Sequence, residues 1–193
     1  MAIRIIRTEG DTVLTKRSRM VNEFDGRLHV LLDDMRQTMI DANGLGLAAP
    51  QVGVLRRAVL VAVTDPDSEE AGRMGGAVDD AGRIEDDEAF NEMIVELINP
   101  EIISKTGEQT GTEGCLSIPG KCGIVTRPSE IVVRAQDRHG LFFEMECKDI
   151  TARAVCHEAD HLEGRLYTEI AEKMLTKEEM DMLEKGGETQ PCE

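Results

Sequence analysis

The sequence predicts an α+β domain, and three observations carry that expectation. Leu28, Leu31, Leu32, Met35 and Met39 recur at the spacing of one helical face within residues 25–43. Short β-prone runs bounded by turn residues follow at 58–63, 94–98, 131–135 and 141–145. Residues 157–161 read His157-Glu158-Ala159-Asp160-His161, an H-E-x-x-H inside a stretch with helical character from about 150 to 163.

Each element has a local reason. Asp25 suits the N-cap of the first helix, and Asn43-Gly44 suits its stop. Ala58 to Val63 is short, apolar and rich in valine, so it reads as a buried strand. Ile94 to Ile98 reads as another, ended by Asn99-Pro100, with Ile102-Ile103 pairing nearby. Ile131–Ala135 and Leu141–Met145 flank Asp137-Arg138-His139-Gly140, which fits a hairpin turn. Asp149 or Thr151 is expected to cap the helix that carries the two histidines, and Gly164 to end it. Thr176-Lys177-Glu178-Glu179 fits a capping box for a last helix, docked by Met180 and Leu183. Residues 65–90 hold ten acids, two arginines and four scattered glycines. They read as an exposed, mobile acidic excursion between two strands.

Composition narrows the function. The length fits one domain over residues 1–193. The net charge is −16, with 38 acids against 22 bases, which disfavours a nucleic-acid partner because phosphate backbones demand an excess of Lys and Arg. No apolar run reaches the 18 residues of a membrane span, and the N-terminus turns polar too soon for a signal peptide. Aromatic residues are scarce, so Met and aliphatic side chains must fill the core. Five cysteines, an odd number in a chain of this size, argue against a disulfide framework and for a reducing cytoplasm.

The chemistry centres on the H-E-x-x-H. Positions i and i+4 share a helical face, so His157 and His161 can hold one metal ion with Glu158 beside them as general base. The bland alternative is a surface helix whose histidines sit one turn apart. A catalytic metal usually takes a third protein ligand. A third histidine in the H-x-x-G-x-x-H pattern is excluded, because that position is Tyr167. Glu178 or Glu179 on a later helix, as in a peptidase, is a second source. A cysteine is the third, and Cys115 stands in an unusual setting, Glu113-Gly114-Cys115-Leu116-Ser117-Ile118-Pro119. Gly44-Leu45-Gly46-Leu47-Ala48-Ala49-Pro50-Gln51 formally fits a dinucleotide fingerprint. Its context is wrong, since a helix precedes it and a proline follows. A glycine-rich edge that admits a substrate backbone is the better reading.

Together these three segments resemble the peptide deformylase family, whose signatures are a G-x-G-x-A-A-x-Q run, an E-G-C-L-S run and an H-E-x-x-H helix followed by glycine. The resemblance covers most of residues 5–167. It implies an α+β fold in which partly antiparallel sheets surround the H-E-x-x-H helix, with an N-terminal and a C-terminal helix. It implies a hydrolase that removes the formyl group from N-formylmethionyl nascent chains at the ribosome, in a bacterial-type cytoplasm. Cys115, His157 and His161 would bind one divalent ion, Fe(II) by family habit, with Zn, Ni or Co compatible. Glu158 would move the proton, while Gln51 and the Leu116 backbone N–H would stabilise the oxyanion. Leu45, Gly46 and Arg127 would bind substrate, Arg127 at the cleft mouth, and Glu113 would support the ligands by hydrogen bonding. Three departures stand out: Cys156 where the family usually has Gln, Gly120-Lys121-Cys122 after the Cys-Leu-Ser run, and the long acidic segment.

Overall fold

The computed structural model describes residues 2–63 and 87–186. Helix α1 spans Gly26–Asp41, and Asp25 caps it as expected, accepting from the N–H groups of Arg27 and Leu28. At its other end Asn43 takes a positive φ of 52°. The Asn43 and Gly44 N–H groups then bond to the Ile40 and Met39 carbonyls, which closes the helix in a Schellman motif.

Strand β1 (Gly46–Ala48) leads through a single 3-10 turn, Ala49–Val52, to β2 (Ala58–Ala62). A second helix, α2 (Asp87–Met93), precedes β3 (Ile94–Thr106); β4 (Gln109–Glu113), β5 (Gly123–Arg127), β6 (Glu130–Gln136) and β7 (Phe142–Lys148) follow. Helix α3 (Asp149–Leu162) carries the paired histidines, and β8 (Lys173–Met174) and α4 (Lys177–Gly186) complete the described chain. Five strands form one sheet in the order β1-β2-β3-β6-β7, and β4-β5-β8 form a second. Every named strand pair among the described residues is antiparallel.

The large sheet explains the unbroken apolar run of β2. Alternate residues point to opposite faces. Ala58, Leu60 and Ala62 pack with α1, while Val59 and Val61 pack with Ala152, Val155 and Leu162 of α3. A strand covered on both faces has no solvated side to encode. In β6, by contrast, Ile131, Val133 and Ala135 are buried and alternate with Arg134, which reaches across to Glu144 of β7. The hairpin turn lies where expected: the Asp137 carboxylate accepts from the His139 and Leu141 N–H groups, and Gly140 has φ +84°.

Three local expectations need correction. Asn99-Pro100 does not end the strand but bends it. Asn99 adopts φ +53°, the pairing with β6 shifts register between Ile98 and Glu101, and the strand runs on to Thr106. The Asn99 amide makes the bend a fixed junction, because it bonds both the N–H and the carbonyl of Val21 and also Gln136. The first residue before α3 is Lys148, which makes no side-chain cap bond, and Asp149 falls inside the first turn. Most of the acidic segment lies outside the described residues. Its last residues are not an excursion: they open α2, and Phe90 is fully buried in the core beneath α1.

The capping box of α4 forms, with Thr176 and Glu179 each accepting the other's backbone N–H. Met180 is partly buried, and the Leu183 side chain lies outside the described parts. Gly164 ends α3 in a second Schellman motif, its N–H bonded to the His161 carbonyl and the Arg165 N–H to that of Asp160. It has φ +74°, and a Cβ there would stand 2.7 Å from the Thr15 carbonyl carbon. Gly164→Ala is therefore expected to lower unfolding free energy by at least about 1–3 kcal/mol, read from urea denaturation.

Candidate metal centre

Helix α3 lies between the two sheets and turns one stripe of residues, Ile150, Arg153, Ala154, His157 and Glu158, into a cleft. The opposite wall is Gly44, Leu45 and Gly46, at the start of β1. Because β1 is the last strand of its sheet, its outer edge has no partner strand among the described residues. The floor is the turn after β4, where the Ile118 N–H bonds to the Cys115 carbonyl and holds the Cys115 side chain inward.

There the sulfur of Cys115 and one ring nitrogen each of His157 and His161 lie within 4.8 Å of one another, and all three residues are buried. Cys115 Sγ is 3.2 Å from His161 Nε2. His157 directs Nδ1 to Glu113 at 3.0 Å, which leaves Nε2 for the cluster. One thiol and two imidazoles suit a divalent transition metal, and an unpartnered buried oxygen, Glu158 Oε2, adjoins them. The donor set fits a metal ion.

Gln51 reaches the same point from the 3-10 turn. Its Oε1 accepts the Ala48 N–H at 2.7 Å, which fixes the amide so that Nε2 faces Ser117 Oγ at 3.2 Å and Cys115 Sγ at 3.6 Å. Leu116 lines the cleft beside Gly44, where an added Cβ would meet Leu116 Cδ1 at 2.7 Å. Gly46 is constrained in the same way: a Cβ would stand 2.8 Å from Glu158 Cγ. The glycine-rich segment is thus glycine because Leu116 and Glu158 fill the space in front of it. Burial raises the Glu158 carboxyl to about 7.

Arg127 is not at the cleft mouth. It is buried, and its guanidinium grips Glu113 through two bonds of 2.9 Å and Asp160 through one of 2.5 Å. The arginine that lines the cleft is Arg153, which sequence reasoning passed over. It shares Glu113 at 2.9 Å and also bonds the Val125 and Gln109 carbonyls. Its signal was available, since it stands four residues before His157 on the same helical face. Asp160 and Tyr167 were likewise missed. Tyr167 occupies the place of the absent third histidine, stacks on His157 at 5.8 Å between ring centres, and donates to the Lys121 carbonyl. Glu178 is exposed, and Glu179 is spent on Lys173 and the α4 cap, so neither joins the cluster.

Two of the sequence departures, Cys156 and residues 120–122, fall outside the cleft lining. Cys156 is a free, buried thiol packed among Val155, Leu162 and Cys147, and burial raises its pKa. Residues 120–122 are absent from the cleft lining; Lys121 pairs with Glu9. Cys122 is disulfide-bonded, which departs from an expectation of free thiols throughout.

Burial opposes ionisation of Glu113, but the bonds from Arg127 and His157 outweigh it and hold its carboxyl at about 2, below the usual 4.5. A depressed carboxyl contributes stability that is fully present above the unfolded value and is lost as pH falls through the folded one. For Glu113 that window runs from about pH 4.5 down to 2, and the shift corresponds to about 3 kcal/mol. Arg127→Met leaves two buried carboxylates under-compensated, so it is expected to cost about 3–5 kcal/mol at pH 7. It should also flatten the loss of stability between pH 5 and 2.5, measured by urea unfolding across that range.

Relatives share this arrangement of elements and sequence. The family model described as polypeptide deformylase matches residues 3–177. A peptide deformylase of Lachnoclostridium phytofermentans is 50% identical over 169 residues, 88% of this chain and 89% of that one. The crystal structure of peptide deformylase from Thermotoga maritima superposes with a TM-score of 0.72 at 31% identity, covering 90% of this chain and 100% of that one. A Met-Ala-Ser-bound peptide deformylase from Acinetobacter baumannii gives 0.71 at 30% identity, covering 87% and 98%. The chain belongs to the polypeptide deformylase family.

Proposed function

We propose that this protein hydrolyses the formyl group from the N-terminal formylmethionine of nascent polypeptides, releasing formate and a free amino terminus. One observation carries the reading: a thiol and two imidazoles meet in a cleft that also presents a buried, unpartnered carboxylate oxygen and the unpaired edge of a strand. Cys115, His157 and His161 are the ligands of one divalent ion. That ion, when bound, supplies an acidified water and polarisation of the formyl oxygen. Fe(II) is the proposed native ion. Zn, Ni and Co suit the same mixed sulfur and nitrogen donors.

The remaining steps belong to the chain's own groups. Glu158 takes the proton of the attacking water and delivers it to the departing amine. A carboxyl near 7 can do both at neutral pH. Gln51 Nε2 and the Leu116 N–H are the donors to the developing oxyanion. The Gln51 amide is already oriented by Ala48, so little reorganisation is needed. The substrate backbone adds to β1 along Leu45 and Gly46, where the absence of a Cβ permits close approach. Glu113 fixes the His157 ring, and Arg127 acts behind Glu113 rather than on substrate. The site of action is the cytoplasm, on chains leaving the ribosome; no helix among the described residues is long and apolar enough to cross a membrane.

The test is formate release from formyl-Met-Ala-Ser by the metal-loaded protein. Glu158→Ala is expected to retain the ion, by metal analysis, while turnover falls on the order of 10²–10⁴-fold. Cys115→Ala is expected to lose both ion and activity. A Glu158→Ala protein running near full speed would remove the proton-transfer role. A fully active Cys115→Ala protein would remove the cluster as the catalytic centre.

A further inference from the structure

A second cavity, of about 570 Å³, opens on a different face of α3 from the cleft. Five cations line it: Arg17, Arg57, Lys105, Arg127 and Arg165. Three acids oppose them, Glu101, Asp160 and Glu163, so the lining carries a surplus of two positive charges in a chain of net charge −16. Counting Glu113 and Arg153, which share the Arg127 network, leaves that surplus unchanged. The carboxylates are already committed. Asp160 holds both Arg127 and Arg165, and Glu163 holds both Arg17 and Arg57. Each of these carboxylates therefore neutralises one of its two guanidiniums. Lys105 makes no ion pair among the described residues.

A second observation is independent of charge. Ser18 lines the same cavity, is 6% exposed, and its hydroxyl has no hydrogen-bond partner. Buried hydroxyls are normally satisfied, and this one belongs to a residue of the cavity wall. Met20, Pro100, Ile102 and Pro128 give the cavity an apolar side.

We propose that the cavity bounded by Ser18, Arg57, Lys105 and Arg165 binds a small phosphate ester of nucleotide size. Planar guanidiniums and an ammonium offer donors from several directions, which suits a tetrahedral oxyanion better than a single planar carboxylate. The volume lies within the roughly 300–1,000 Å³ of small-molecule sites, and the apolar side accommodates an uncharged portion of the ligand. A long polyanion does not fit, because the acidic remainder of the chain would repel it. The wall nearest the cleft is Arg127 and Asp160, so the ligand would sit one ion pair behind Glu113 and His157.

The test titrates the metal-loaded full chain with ADP and with pyrophosphate by calorimetry, in the presence of saturating Met-Ala-Ser to occupy the cleft. Saturable one-site binding of either probe is expected. Lys105→Glu and Arg17→Glu, both on exposed side chains, should each weaken it at least tenfold. Lys177→Glu, exposed on α4 and not part of the cavity wall, should leave it within twofold, and formate release by Lys105→Glu should match the unaltered protein. Absence of saturable binding overturns the proposal. So does binding that Met-Ala-Ser displaces, or binding that the Lys105 and Lys177 variants affect alike.

Discussion

The centre of this molecule depends on one buried carboxylate. Glu113 ends β4 and accepts from Arg127 at the end of β5, from Arg153 on α3 and from the His157 ring. Its two oxygens take part in four hydrogen bonds, two from Arg127 within the small sheet and two, with Arg153 and His157, that join that sheet to the helix. Such a cluster is poor value as pure stabilisation, since removing charges from water costs most of what their attraction returns. Its physical effect is orientation. With Glu113 ionised, His157 presents an N–H from Nδ1, which leaves Nε2 as the ring atom directed to the cluster. The ring is clamped on its other side by Tyr167.

The cleft is shaped by what cannot be there. Gly44 and Gly46 face Leu116 and Glu158 at distances that leave no room for a side chain. The residues nearest the cluster therefore press against bare backbone. This packing has two consequences at once. It keeps Glu158 desolvated, which raises its carboxyl, and it leaves the outer edge of β1 smooth for an incoming extended chain. Gln51 completes the pattern, because the same backbone that forms the edge donates the Ala48 N–H that sets its amide.

What could be read from the chain was local chemistry. The Asp25 cap, the Asn43-Gly44 stop, the Gly164 stop, the Asp137 turn and the Thr176–Glu179 box each involve residues a few positions apart, and each formed. The two histidines share a face for the same reason. Cys115 was different, because its distance from His161 along the chain leaves no periodic trace; only resemblance joined it to them. Arg127 shows the limit most clearly. The family resemblance put it at the cleft mouth, yet its position is decided by Glu113, 14 residues earlier, and Asp160, 33 residues later. Asn99-Pro100 misled for a related reason. A strand-ending dipeptide became a bend once the Asn99 amide found partners on Val21 and Gln136.

Asp160 lies inside the H-E-x-x-H but faces away from the cleft. Its two oxygens are taken by Arg127 and Arg165, and its carbonyl accepts from Arg165 in the Schellman motif. The last turn of α3 is therefore fixed from outside, to β5 through Arg127 and to the N-terminal segment through the close contact of Gly164 with Thr15. His161 lies in that turn, and its Nδ1 has no hydrogen-bond partner. Among the described residues no group outside the cluster bonds the ring, whose Nε2 meets Cys115 Sγ, so its direction depends strongly on the backbone beneath it. One histidine is oriented through its own side-chain bond to Glu113, the other through the rigidity of the helix end. Arg127 links the two, since it touches both Glu113 and Asp160. The geometry of the cluster is in this way set by a single guanidinium that never enters it.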